Sequence, residues 1–244
     1  MAEVRDEQAT LLAVAHGTRD PDGPATVRAL LDRVRALRPW LRVDEAYAEI
    51  AEPGLEDALG GIGGPVVAVP LMLARGYHAL IDIPGRAERL HPEVVTTPPL
   101  GPHGMLAAAM LDRLREALAE GPALRREDAV VLGAAGSSDP AGVTDVRAAA
   151  RILSRRLRRP VPIGFVAADG PALPEVVAGC RRSGAGRVVV ASYLLAPGLF
   201  HRRIVDAGAD AASAPIGAHD AVARLILHRF DQARLRLNNA LPVA

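Results

Sequence analysis

The sequence predicts an α/β protein of two similar lobes, each a parallel sheet flanked by helices and the pair arising from an internal duplication. Three observations lead there. Continuous apolar runs at residues 11–15, 66–73, 130–135 and 188–190 end abruptly in glycine or polar residues, as buried parallel strands do. Segments of helical period alternate with them in the order βαβαβαβα, which right-handed crossovers build into a parallel sheet. The whole pattern then occurs a second time.

The first strand, residues 11–15, delivers His16-Gly17-Thr18-Arg19-Asp20 to its carboxyl end. Pro21 to Pro24 form a turn cluster, after which Val27, Leu30, Leu31, Val34 and Leu37 recur at helical spacing. Residues 41–50 are expected as the second strand, broken by Glu52-Pro53-Gly54, and residues 55–59 as a short helix. Residues 66–73 form the central strand, opening into Ala74-Arg75-Gly76-Tyr77-His78. Residues 79–90 read as a helix despite Pro84, 91–97 as a strand, and 105–119 as an amphipathic helix. Gly121-Pro122, in a polar stretch, marks the expected boundary between domains 1–121 and 122–244.

Four collinear matches carry the duplication. Gly136 follows Gly17 by 119 residues, Pro171 follows Pro53 by 118, His201 follows His78 by 123 and His219 follows His103 by 116. A solenoid would need shorter periods and more copies.

Composition narrows the function. The 29 basic residues are all arginine and face 28 acidic ones, so the net charge of +1 provides no field for nucleic acid or an anionic membrane. One cysteine, Cys180, excludes an internal disulfide and a multi-thiolate metal centre, and fits a reducing compartment. It is either a reactive thiol beside Arg181 and Arg182 or a small buried helix residue. Residues 1–10 carry no apolar signal region, and no run of about 18 uncharged apolar residues occurs, so a cytoplasmic protein without membrane spans is expected. No Gly-x-Gly-x-x-Gly or phosphate-binding loop follows a strand, which removes the dinucleotide fingerprint.

Comparing the lobes locates the chemistry. Strand ends in the first present His16, Glu49 and His78, where the second has Ala135, Ala167 and His201. Fold maintenance gives no reason for that difference, since both lobes keep the apolar runs and the flanking glycine and Asp-Pro. Two imidazoles and a carboxylate suit a first-row divalent ion, and also proton transfer near neutral pH. His103 and His219, in matched turns at helix starts, are expected to have a structural capping or packing role; His91 and His228 are expected at the surface.

His16-Gly17-Thr18-Arg19-Asp20, Tyr47-Ala48-Glu49-Ile50-Ala51-Glu52-Pro53, Pro70-Leu71-Met72-Leu73 with Gly76-Tyr77-His78, and Asp82-Ile83-Pro84 together closely resemble the sirohydrochlorin chelatases, the CbiX and SirB cobalto- and ferrochelatases, in their long two-lobed form. The resemblance runs over residues 11–237. It implies insertion of Fe2+ or Co2+, as substrate, into a tetrapyrrole such as sirohydrochlorin in siroheme or cobalamin biosynthesis, with no organic cofactor. It also implies that His16, Glu49 and His78 contact the metal. Arg19, Arg75, Arg202 and Arg203 are candidates for the substrate's carboxylates, which guanidinium binds in bidentate fashion. A duplicated chain builds a two-lobed site alone, so monomer and homodimer both stay open. Two other classes compete: a non-catalytic metal or tetrapyrrole carrier using the same cleft, and a two-lobed ligand-binding protein.

Overall fold

A computed structural model describes residues 9–119, 121, 123–167 and 170–240. The stretch read for targeting signals lies outside them up to residue 8, and so does Pro122 of the expected boundary. In the first lobe β1 (Thr10–Ala15) leads to α1 (Asp22–Leu37), β2 (Val43–Tyr47), α2 (Leu55–Gly60) and β3 (Val66–Pro70). A π-helical turn (His78–Asp82) then runs into α3 (Ile83–Leu90), followed by β4 (Val94–Thr96) and α4 (Gly104–Ala117). The second lobe repeats the order with β5 (Ala129–Ala134), α5 (Pro140–Leu157), β6 (Ile163–Phe165), α6 (Leu173–Arg182), β7 (Val188–Tyr193), α7 (Leu199–Val205), β8 (Ala211–Ala212) and α8 (Asp220–Ala240).

The two sheets have the same parallel topology, β2-β1-β3-β4 and β6-β5-β7-β8. Thr10 pairs with Val66 in one and Ala129 with Val188 in the other, so strand pairing shifts by 119 residues on the central strand and 122 on its neighbour. The duplication is thus structural as well as sequential.

Each strand sends alternate side chains to opposite faces, and the continuous apolar runs follow from both faces being covered. Leu11, Ala13, Val67 and Val69 join Val130, Leu132, Val189 and Ala191 in one core shared by the lobes. Leu12, Val14, Val66 and Ala68 face outward into a cluster closed by Leu55, Leu59, Ile83 and Ala87, and Val131, Val188 and Val190 do the same with Leu173, Val177 and Ile204. Burial of each such aliphatic side chain is worth about 1.5–3 kcal/mol.

The strands of the two sheets divide in sequence between residues 96 and 129, on either side of the expected boundary, but the last helix of each half ignores that division. Helix α4 packs on α5 and β7, and α8 packs on α1, β3 and β4. Arg113 Nε donates to Ile216 O at 3.0 Å, while Arg229 Nε donates to Pro99 O at 3.2 Å. Arg38 adds a bidentate pair with Asp231, its Nη2 lying 2.8 Å from Oδ2. The lobes are therefore clasped by exchanged helices around the shared core.

Two local readings change. The second strand ends at Tyr47, because the chain turns sharply at Ile50, whose φ is +69°. The helix expected from Ala79 begins as a π turn, in which Ile83 N donates to His78 O. Pro84 explains it: an α-helical continuation would drive the proline ring into the carbonyl four residues back, and one widened turn removes the clash. Pro84 then sits in the first turn of α3, where its missing N–H costs nothing.

Candidate active site

With β2 and β3 on opposite sides of β1, the first sheet has a switch point at its centre. Open α/β sheets leave a crevice there, beyond the strands' carboxyl ends. His16 is the first residue past β1. The backbone ladder continues beyond the regular strands, Ala48 N to Ala15 O at 2.9 Å and Glu49 N to His16 O at 3.0 Å, which fixes Glu49 beside His16. Gly17 makes this approach feasible. Its φ is +98°, and a Cβ there would lie 1.8 Å from Glu49 O. Glu49 O in turn accepts from Ala51 N at 2.7 Å, closing a γ-turn whose central residue, Ile50, stands at positive φ. Such conformations cost on the order of 1–3 kcal/mol in a non-glycine residue and cluster at functional sites.

His78 completes the group from the loop after β3. One ligand atom each from His16, Glu49 and His78 fall within 4.8 Å of one another, a spacing that can hold one metal ion. The two imidazoles meet edge to face with centroids 4.7 Å apart, and His78 Nε2 lies 3.6 Å from Glu49 Oε1. His16 and Glu49 are exposed and His78 half-buried.

Asp82, four residues after His78, approaches His78 Nδ1 to 3.1 Å through its Oδ2. An ionised carboxylate only accepts, so Nδ1 carries the hydrogen and the Nε2 lone pair of a neutral ring is left able to bind a metal ion. Arg86 holds Asp82 in place: its Nη1 donates to Asp82 Oδ2 at 3.2 Å and to Ala48 O at 3.0 Å. Its Nε and Nη2 bind Glu56 at 2.9 and 2.7 Å, and this pairing keeps the Glu56 carboxyl below its ordinary range. One guanidinium thus ties the segment bearing Glu49 to the turn bearing His78.

The crevice widens into a cleft of about 880 Å3 between the lobes, within the ~300–1,000 Å3 range of ligand-holding clefts. His16, Arg19, Ile50 and Arg75 line it from the first lobe, and Leu199, Phe200, His201 and Arg202 from the second. Arg203 is not among its walls; its Nη1 donates to Val166 O at 3.1 Å. Of the candidate arginines, Arg19 has no ion pair among the described residues. Arg75 grips Asp145 of the other lobe through Nε and Nη2 at 2.9 and 2.8 Å, with its backbone N on the same carboxylate. Arg202 Nη1 meets Asp20 Oδ2 at 2.7 Å, and that hydrogen bond holds the Asp20 carboxyl below its usual range. Two inter-lobe clasps therefore border the cleft. The tyrosines on its floor stay protonated: burial, then nearby Glu45, pushes Tyr47 up to about 12, and burial raises Tyr193, whose hydroxyl donates to Leu73 O at 2.7 Å.

The CbiX family pattern matches the chain twice, at residues 10–117 and 129–233, once per lobe. This chain belongs to the CbiX family. Among curated relatives, a sirohydrochlorin ferrochelatase of Priestia megaterium is 26% identical over 92% of this chain and 90% of its own length. A sirohydrochlorin cobaltochelatase of the same organism is 27% identical over 80% of this chain and 67% of its own. SirB from Bacillus subtilis with Fe3+ superposes with a TM-score of 0.78 at 25% identity, covering 97% of this chain and all (100%) of that one.

Within this CbiX-family chain the second lobe keeps the strand-end backbone and has alanine in place of His16 and Glu49. Ala135 and Ala167 stand at the ends of β5 and β6, joined by the same ladder bond, Ala167 N to Ala135 O at 2.9 Å. By the strand register, 122 residues beyond His78 is Phe200, so His201 lies one position further on. Its Nε2 is 3.2 Å from Ser213 O. Four residues past it stands exposed Val205, where the spacing of Asp82 from His78 would require a carboxylate.

The remaining candidates resolve simply. His103 and His219 cap α4 and α8 through Nδ1, accepting from Met105 N and Ala221 N at 3.1 Å each. His91 is buried rather than at the surface, with Nε2 at 3.2 Å from Ile62 O and Nδ1 accepting from Glu93 N; it braces the turn before β4. Cys180 is half-buried on α6, and burial pushes its thiol up, away from thiolate reactivity. Asp82 and Arg86, which orient His78 in this candidate site, were not singled out for a role from the sequence. Their signal was a His-Asp-Arg series at successive four-residue steps, one face of a helix.

Proposed function

We propose that this CbiX-family protein is a sirohydrochlorin chelatase, inserting Fe2+ or Co2+ into sirohydrochlorin or a close relative in siroheme or cobalamin biosynthesis. One observation carries the reading: two imidazoles and a carboxylate share a metal-sized space, and one of them, His16, lines a cleft large enough for a flat macrocycle.

The reaction exchanges two pyrrole protons for one divalent ion. No electrons move, so no organic redox cofactor enters the reading. The chain must hold the ion loosely, shed its water and accept the protons as the ring nitrogens replace the protein's donors. His78 Nε2, set by Asp82, and His16 would supply neutral nitrogen donors. Glu49 would balance the ion's charge and pass protons to solvent. An exposed three-donor site leaves coordination positions open for incoming ring nitrogens. Arg19 is the readiest partner for a substrate carboxylate; Arg202 would serve once released from Asp20, and Arg75 and Arg203 are held elsewhere.

The cleft is built by one chain, which supports a functional monomer and is compatible with a homodimer. No described helix is long and apolar enough to cross a membrane. The lone cysteine supports the cytoplasm as the setting.

The test is anaerobic incubation of the protein with sirohydrochlorin and Fe2+ or Co2+, following the macrocycle's absorption. Catalytic turnover is expected with at least one of the ions. A carrier would instead retain metal or tetrapyrrole tightly at one equivalent and show no turnover, and that outcome would refute the proposal.

A further inference from the structure

Ile50 is placed against both of the preferences that govern an isoleucine in a folded chain. Its φ of +69° is a conformation that β-branched residues avoid, and glycine would adopt it with little penalty. The usual return for an isoleucine is burial, yet 59% of its surface is exposed. Neither backbone preference nor core packing therefore accounts for the residue. Its position does: it follows Glu49 directly, forms the tip of the γ-turn closed by Ala51 N on Glu49 O, and lines the cleft. From the second lobe Leu199 and Phe200, 52% and 41% exposed, line the same cleft. An exposed apolar side chain on each wall fits a ligand with a broad apolar face.

Resting on the chelatase reading, we infer that Ile50 is a positioning residue for the macrocycle: its side chain packs on the flat face of the tetrapyrrole beside Glu49 and sets how the ring lies over the His16–Glu49–His78 group. The β-branched side chain suits this role, because few rotamers are open to it and its methyl groups stand where the backbone puts them. The unfavourable turn fixes that direction. A residue at ordinary negative φ would send its Cβ elsewhere.

The test uses Ile50→Gly, Ile50→Asn and Ile50→Val in the full chain, with affinity for metal-free sirohydrochlorin read by absorption titration. Glycine suits the backbone, so its thermal midpoint is expected to hold or rise, and asparagine removes the apolar contact at similar size. Kd for sirohydrochlorin is expected to rise about tenfold, the scale for losing one buried aliphatic contact. Co2+ affinity of the protein alone is expected to stay unchanged, and the valine variant to fall between. An unchanged sirohydrochlorin Kd in the glycine variant overturns the inference. So does a parallel loss of Co2+ affinity, which would assign Ile50 to holding Glu49. Because the titration contains no metal, a wild-type protein that binds sirohydrochlorin without metallating it counts against the proposed activity alone.

Discussion

The ends of β1 and β2 can be laid over the ends of β5 and β6 bond for bond. Tyr47 N reaches Pro53 O and Phe165 N reaches Pro171 O, both at 2.9 Å; Glu49 N on His16 O is matched by Ala167 N on Ala135 O. Gly17 and Gly136 both turn the chain at positive φ, +98° and +105°. Among the described residues at these strand ends the difference is in side chains: His16 and Glu49 become alanine, and farther along the carboxylate that orients His78 has no counterpart four residues past His201. A fold that keeps its turns without these groups does not need them for folding. Their presence in the first lobe is the basis for proposing the chemistry there, with the second lobe supplying cleft wall and clasp.

The comparison breaks most sharply by transplantation. Moving the ligands, with His16→Ala and Glu49→Ala combined with Ala135→His and Ala167→Glu, is expected to leave metallation at least about 10²-fold below wild type. His201 faces Ser213 O and lacks an Asp82 equivalent. Recovery of turnover in that variant would mean that two ligands suffice. Next, Asp82→Asn should lower Co2+ affinity or metallation rate about 10–100-fold, the usual scale for a partner that orients a ligand histidine. Val205→Asp in the other lobe should leave both unchanged, as isothermal titration and initial rates will show.

A third effect concerns folding. Gly17→Ala puts a Cβ onto Glu49 O and an L-residue at strongly positive φ, and is expected to cost more than about 1 kcal/mol in urea denaturation while displacing Glu49. The smallest effect separates the two clasps. Asp145 is 7% exposed and holds three hydrogen bonds from Arg75, whereas Arg202 is 62% exposed and makes one to Asp20. Asp145→Ala should therefore lower the thermal midpoint more than Arg202→Ala. Because Asp20 titrates below its unfolded value of 3.8, its contribution is complete above that pH and fades as pH falls through the lower native value. The midpoint difference between wild type and Asp20→Asn, followed by calorimetry from pH 7 downward, should hold steady to about pH 4 and close below it.

The periodicity of apolar residues made the strands, most helices and the duplication legible, since those features are written locally. The grouping of His16, Glu49 and His78 was legible because a repeated sequence carries its own control. What was hidden depends on approach between distant residues. Arg86 meets Glu56 across 30 residues, Arg75 meets Asp145 across 70, and Arg202 meets Asp20 across 182. Isolated arginines in a lysine-free chain give no sign of such partners. The exchange of α4 and α8 was hidden for a related reason, as an amphipathic stripe specifies that a face is buried but not against which sheet. Ile50 looked like the end of a strand because β-branched residues favour strands, and the turn overrides that preference.

The asymmetry of the lobes is tested most directly by single-turnover metallation of sirohydrochlorin with two matched variants, His78→Ala and His201→Ala, each checked for folding by circular dichroism. Loss of metallation in the first and near-native rates in the second are expected. Equal loss in both, or loss only in His201→Ala, would contradict the assignment of the chemistry to the first lobe.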